Sequence, residues 1–205
     1  LFTDADCSLS ARWVELMVSG MVQNSWDFVS GAVFLHKGHG IIQKLQEIEV
    51  AHLTGIGHAL IAVKMPLMCN GANMGIVAEH AHAPLKEEVS SGDDVFRLHY
   101  AKEKKHRIGY HTSSNSNTYT FATNTLSEWI QQRARWAGKS KYYTDWFSKI
   151  FTVFIFLVQM TTILSIFTLD LKIISTVWAM KLGAEIVFIS KVAHVYGKKF
   201  TPFPV

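Results

Sequence analysis

Two carboxylates stand one residue apart in Asp4-Ala5-Asp6, close to the start of a 205-residue chain. Mg2+ and Mn2+ are hard cations that take oxygen ligands and complete their shells with water and substrate phosphates. One aspartate on such a metal, with its neighbour against a nucleotide, would serve a reaction in which a diphosphate departs. The same spacing also makes ordinary turns and helix caps, so the pair alone does not decide the chemistry. A calcium loop is excluded. Asp4, Asp6, Ser8 and Glu15 fall on its ligand positions, but Leu9 stands where the sharp turn requires glycine, and no helix precedes it.

A second acidic pair, Asp93-Asp94 in Ser91-Gly92-Asp93-Asp94-Val95-Phe96, opens a predicted helix. There the helix dipole favours a carboxylate, which could take the proton of an attacking sugar hydroxyl. Simple N-capping by either aspartate is the alternative. Further on, Gln132, Arg135 and Trp136 are spaced to share one face of a helix. A guanidinium there could neutralise a departing diphosphate, and an indole could form a platform for a sugar or acceptor. The same Trp and Arg could equally anchor a membrane interface and contact lipid headgroups. His36, His39 and Cys69, with Glu79-His80-Ala81-His82, contain zinc-ligand types, although loop histidines are more often solvated.

These residues need elements to position them. Apolar side chains at helical spacing predict a helix over Trp13 to Val22, and Phe28 to Phe34 reads as a short strand. Ile42, Leu45, Leu53, Ile56 and Leu60 predict a long amphipathic helix over Ile41 to Val63, weakened in its middle by Gly55 and Gly57. Leu67-Met68-Cys69 reads as a short strand running into Asn70-Gly71-Ala72-Asn73. His80 to Ser91 reads as a loop, Val95 to Lys105 as a helix, and His111 to Asn124 as a strand-and-loop region. Thr125-Leu126-Ser127-Glu128 fits a capping box and starts the helix that carries Gln132, Arg135 and Trp136. Leu1-Phe2-Thr3 reads as the end of a strand, so the chain is expected to be a piece of a longer protein.

Residues 150–169 form an uncharged run, long enough to cross about 30 Å of hydrocarbon. A second apolar stretch, 173–190, carries only Lys181 and Glu185, four apart and able to pair; it is expected to span or to lie at the interface. Lys and Arg flank the two runs on their outer ends, with only Lys172 between them. The positive-inside rule therefore places both flanks, and all the candidate residues, on the cytoplasmic side. Trp129, Trp136, Tyr142, Tyr143 and Trp146 would form an interfacial aromatic belt. The net charge of +4 is too small to imply nucleic acid, and two cysteines cannot build a disulfide framework.

Taken in order, Phe2-Thr3-Asp4-Ala5-Asp6-Cys7, Cys69-Asn70-Gly71-Ala72-Asn73-Met74, Ser91 to Phe96 and Gln131-Gln132-Arg133-Ala134-Arg135-Trp136-Ala137-Gly138-Lys139 resemble the motifs of bacterial, processive-type glycosyltransferase family 2 enzymes. That family carries an Asp-x-Asp, an acidic pair with the base, and Gln-x-x-Arg-Trp just ahead of membrane helices. The resemblance implies an α/β chain. Residues 1–148 would be the C-terminal portion of a GT-A, Rossmann-like domain, and 149–205 one or two transmembrane helices. It also implies inverting transfer from a nucleoside-diphosphate sugar to a saccharide or lipid-linked acceptor at the cytoplasmic membrane. In this implied scheme Asp6 binds a divalent metal with Asp4 assisting, Asp94 is the base, and Asp93 lies beside it. Gln132, Arg135 and Trp136 contact diphosphate and acceptor, and Asn73 lines the donor sugar pocket. Glu79-His80-Ala81-His82 stands where the family has a Gly-Gly-Phe-like segment, and the first nucleotide-binding strands are not in the chain, so it is expected to be inactive alone. A non-catalytic membrane-anchored scaffold or binding protein keeping this fold is the competing expectation.

Overall fold

In the computed structural model, which describes residues 1–81, 93–138, 142–143 and 145–198, the apolar run after Asp27 forms two strands rather than one. Strand β1 (Phe28–Gly31) pairs antiparallel with β3 (Met74–Ile76) and parallel with β4 (Ile108–His111). Strand β2 (Val33–Leu35) pairs parallel with β5 (Thr118–Thr120). Ala32 separates the two strands. Its carbonyl accepts from the Thr118 amide at 3.0 Å and from the Asn73 side chain at 2.8 Å, which divides the pairing between two sheets.

β1 is central in its sheet and buried on both faces, as a continuous apolar run requires. Strand alternation sends Phe28 and Val29 to opposite sides. Phe28 packs with Met74, Ile76, Leu98 and Ala101, the last two from α3 (Asp93–Glu103). Val29 packs with Trp13 and Met17 of α1 (Trp13–Asn24). The sheet is thus covered by one helix on each face, a mixed α/β arrangement.

Helix α2 (Ile41–Ala62) forms over the expected range, but with a different buried face. Gln46, Val50, Thr54, Gly57 and Ile61 point inward, whereas Leu45 is exposed. Polar and small residues take the inner face because each has a specific partner. Gln46 bonds the Thr123 amide and carbonyl at 3.1 and 3.0 Å, and Thr54 donates to the Val33 carbonyl at 2.7 Å. Gly55, far from weakening the helix, makes its closest packing possible. A Cβ there would lie 2.4 Å from Val192 and 3.0 Å from Phe188.

Leu67-Met68-Cys69 is not a strand. Its polar groups go to α3 and beyond: the Leu67 carbonyl meets His99 Nε2 at 3.1 Å, and Cys69 donates to the Asp94 carbonyl at 3.3 Å. The strand comes instead at Met74. The polar stretch expected to loop from His80 to Ser91 lies mostly outside the described residues.

Helix α4 (Leu126–Gly138) begins with the expected reciprocal cap. Thr125 Oγ accepts from the Glu128 amide at 3.2 Å, and Glu128 accepts from the Thr125 amide at 3.2 Å. Two helices follow, α5 (Trp146–Phe167) and α6 (Leu171–Tyr196), and both are long and apolar enough to cross a membrane. Among the described residues, protein covers little of the most apolar stretch of either. α5 starts four residues earlier than the uncharged run, because Asp145 caps it by accepting from the Ser148 amide at 2.9 Å. The same carboxylate pairs with Lys102 at 2.9 Å and ties α5 to α3. Asp170 caps α6, and Gly197, left-handed at φ 60°, ends it. Lys181 and Glu185 form the ion pair that their spacing suggested.

Of the aromatics expected at the interface, Trp146 is 69% exposed, whereas Trp129 donates to Glu49, Trp136 lies under Arg133, and the Tyr143 ring sits 5.2 Å from His99.

Candidate functional site

Asp4-Ala5-Asp6 occupies a turn slung between the two sheets. On one side Phe2 pairs with Met74 through bonds of 2.8 and 3.3 Å, and on the other Ser8 pairs with Tyr119 through bonds of 2.7 and 3.0 Å. Between these bridges the Cys7 amide closes the turn on the Asp4 carbonyl at 3.2 Å. Thr120 donates to Asp6 Oδ2 at 3.1 Å. Ligand atoms of Asp4, Asp6 and Cys7 lie within 4.8 Å of one another, the only such group among the described residues. Among the described residues, His36, His39, Cys69, Glu79 and His80 therefore do not assemble a zinc site; His82 lies outside the described residues. The His36 ring bonds Ser8 Oγ at 3.2 Å and stacks near Phe121, while Cys69 turns toward α3.

Asp94 stands in the first turn of α3 and is fixed by two backbone amides: Gly71 N–H donates to Oδ2 at 3.1 Å and Val95 N–H to Oδ1 at 2.8 Å. Asp93, the first residue of the helix, is exposed. The fold places Asp94 near enough to the Asp4-Ala5-Asp6 turn for its charge to act on Asp4. Partial burial raises the Asp4 carboxyl above its ordinary value, and the charges of Asp6 and then Asp94 raise it further. Tyr143 joins this neighbourhood: burial and the nearby Asp94 and Cys69 push its phenol up to about 12. Burial also raises the Cys7 thiol, as does Asp6.

No protein-family model matches this chain, and no curated protein matches it.

Gln132, Arg135 and Trp136 are held elsewhere. Arg133, between them in sequence, bonds Glu49 of α2 at 2.7 Å through both Nε and Nη2, reaches Gln132 Oε1 at 2.6 Å, and lies 4.0 Å over the Trp136 ring. Arg135 is exposed. Among the described residues, no hydrogen bond or ring contact joins these three to Asp4, Asp6 or Asp94. They share a scaffold instead: Thr120 on Asp6 belongs to β5, and three residues later Thr123 is locked by Gln46 at the entry to α4.

Asn73 is not at a surface at all. It is fully buried, accepts from Trp13 Nε1 at 3.0 Å, and donates to the carbonyls of Ala32 and Ser116 at 2.8 Å each. Both amide hydrogens are committed to the fold, so the side chain joins α1, the sheet junction and the segment before β5.

Sequence reasoning missed Thr120, Gly71, Tyr143 and Glu49. Gly71 acts through its backbone amide, which its place in the Cys69–Met74 motif does not reveal, and Thr120 through a hydroxyl on a strand residue that carries no motif. Tyr143 reads as an interface aromatic, and Glu49 as one charge on an amphipathic helix. Two grooves lie away from the acidic turn. One of about 570 Å3 lies between α1 and β4, beside Trp26 and His111, and one of about 660 Å3 between α2 and α6.

Proposed function

We propose that this chain is the membrane-anchored part of an inverting glycosyltransferase of the GT-A type. It would move a sugar from a nucleoside-diphosphate sugar to a saccharide or lipid-linked acceptor. The observation that carries this reading is the position of Asp94, near enough to the Asp4-Ala5-Asp6 turn for its charge to act on Asp4. Two acidic pieces from two places in the sequence thus repel one another, and Asp94 is clamped by backbone amides at a helix start. Such a cluster is self-repelling, and a divalent cation relieves it.

In the proposed reaction the acceptor hydroxyl oxygen attacks the anomeric carbon as the bond from that carbon to the diphosphate oxygen breaks. The hydroxyl proton passes to Asp94, and the nucleoside diphosphate leaves with the bonding electrons. Asp6 and Asp4 would hold Mg2+ or Mn2+, whose charge favours the departing diphosphate. Arg135 is the arginine of α4 suited to the same anion, because Arg133 is committed to Glu49. Asp93, exposed beside the base, is placed in the acceptor path. Helices α5 and α6 would cross the cytoplasmic membrane, with the basic flanks and the acidic turn on the cytoplasmic side, where activated sugars are found.

The full-length protein in membranes, given Mn2+ and a panel of nucleoside-diphosphate sugars, should release nucleoside diphosphate. Asp94→Asn keeps an acceptor for the Gly71 amide but removes the base, and should slow release by roughly 10²- to 10⁴-fold. Equal rates for wild type and Asp94→Asn, at equal melting temperature, would remove Asp94 from the chemistry. A scaffold that does no chemistry predicts that neither Asp94→Asn nor Asp6→Ala changes the cellular glycan.

A further inference from the structure

The groove between α2 and α6 is apolar for most of its length and lined by small residues from both helices. Gly55 and Ala59 line it from one side, and Gly183 and Val187 from the other. Its residues on α6 run from Gly183 to Tyr196, and the part from Gly183 to Lys191 covers about 12 Å at 1.5 Å per residue. That is most of one leaflet of hydrocarbon, about 15 Å. It is continuous with the exposed apolar side of α6, where Met180, Leu182 and Ile186 face outward. Lys191 lines the groove at about that 12 Å from Gly183 and is exposed, and Val192, Val195 and Tyr196 line it beyond, toward the end of α6. At Gly183 an added Cβ would meet nothing within 4 Å, so the groove is open there and not packed by the chain itself.

We propose that this groove holds one acyl chain of an anionic phospholipid from the surrounding bilayer, with the lipid phosphate on Lys191. The inference rests on the membrane placement of α6 proposed above, and not on glycosyl transfer. An apolar slot that opens onto lipid and carries a cation about 12 Å along its length matches a chain with a negative headgroup. It matches neither a soluble anion nor an uncharged sugar. The narrow contact at Gly55 forms the floor, because Phe188 and Val192 close on it there.

The test uses the full-length protein in nanodiscs of equal parts phosphatidylglycerol and phosphatidylcholine, released gently and weighed by native mass spectrometry. Wild type should retain phosphatidylglycerol. Gly183→Leu fills the open slot without meeting its own structure, and should lower retention by about tenfold or more. Lys191→Gln should keep a bound lipid but lose the preference for the anionic one. Ala59→Phe fills the slot from α2 and should repeat the Gly183→Leu result should that variant not fold. Retention in Gly183→Leu equal to wild type overturns the proposal. So does a Val187→Cys disulfide between two copies that forms readily and excludes lipid, which would make the groove a dimer contact. Extraction of the wild-type protein by alkaline carbonate would instead refute the membrane placement, and is read separately.

Discussion

Glu49 on α2 accepts from Arg133 of α4 at 2.7 Å through each of two guanidinium nitrogens, and from the Trp129 indole at 2.8 Å. One carboxylate on a helix of the α/β region thereby orients the helix that leads to the membrane. It also sorts two neighbouring arginines: Arg133 becomes a structural clamp, and Arg135 is left facing outward.

Glu49→Ala removes all three bonds and leaves a guanidinium that is only 21% exposed without its partner. A bidentate, partly buried pair exceeds the usual surface value, so the loss should be about 1–3 kcal/mol. Arg133→Lys keeps the charge but not the fork, and should recover only part of it. Thermal melting of the two variants in the same detergent checks the order wild type, then Arg133→Lys, then Glu49→Ala.

The acidic turn should respond to both pH and cations. Burial first, then Asp6 and Asp94, hold the Asp4 carboxyl above its ordinary value of 3.8. A group raised in the folded state binds its proton more readily there than in the unfolded chain. Its contribution to stability is therefore lost as pH rises from about 3.8 through the folded value. Asp145 has the opposite sign. Burial alone would raise it, but bonds from Lys102 and Ser148 outweigh that and hold it low, so its contribution is lost as pH falls through its folded value. Mn2+ should raise the melting temperature of the wild type near neutral pH and do little near pH 3.5, where the carboxylates protonate. Asp6→Asn should abolish the shift; a shift of wild-type size in that variant would place the cation elsewhere.

Much of the fold is legible because its signals are local. The Thr125–Glu128 cap, the face Trp13–Met17 and the uncharged run after Lys149 each depend on residues a few positions apart. The expected strand over Leu67–Cys69 and the inner face of α2 were misread because distant partners decide them. Gln46 is buried for Thr123, and Leu67 turns its carbonyl to His99. The acidic turn could be singled out by composition, yet its nearness to Asp94 depends on the Phe2–Met74 bridge and the Gly71–Asp94 bond, which no short motif records.

Asn73 separates a residue that builds the site's frame from one that touches ligand. Asn73→Ala leaves the Trp13 indole N–H and the carbonyls of Ala32 and Ser116 without their partner in a fully buried place. Each such loss costs about 1–3 kcal/mol, so the variant should be severely destabilised or fail to fold. Asn73→Asp keeps the acceptor for Trp13 but sets a carboxylate against two carbonyls, and should be no better. A variant of normal stability with a raised KM for donor would return Asn73 to the sugar pocket.

The Lys181–Glu185 pair lies in the middle third of α6 and tests where that helix resides. Both side chains are partly covered, and they fall on the stripe that continues through Phe188 and Val192 to the contact with α2. In water, an i,i+4 pair contributes only about 0.3–0.5 kcal/mol, and Glu185→Leu would be nearly silent. In hydrocarbon, an unpaired lysine near a helix centre costs about 2.5–3.5 kcal/mol on insertion scales. Glu185→Leu should then sharply lower the inserted fraction of α6, read from glycosylation sites engineered beyond each end. The double variant Lys181→Leu with Glu185→Leu should insert at least as well as wild type, because it removes both charges together. If Glu185→Leu alone inserts like the wild type, the pair faces water, and α6 lies along the membrane surface instead of crossing it.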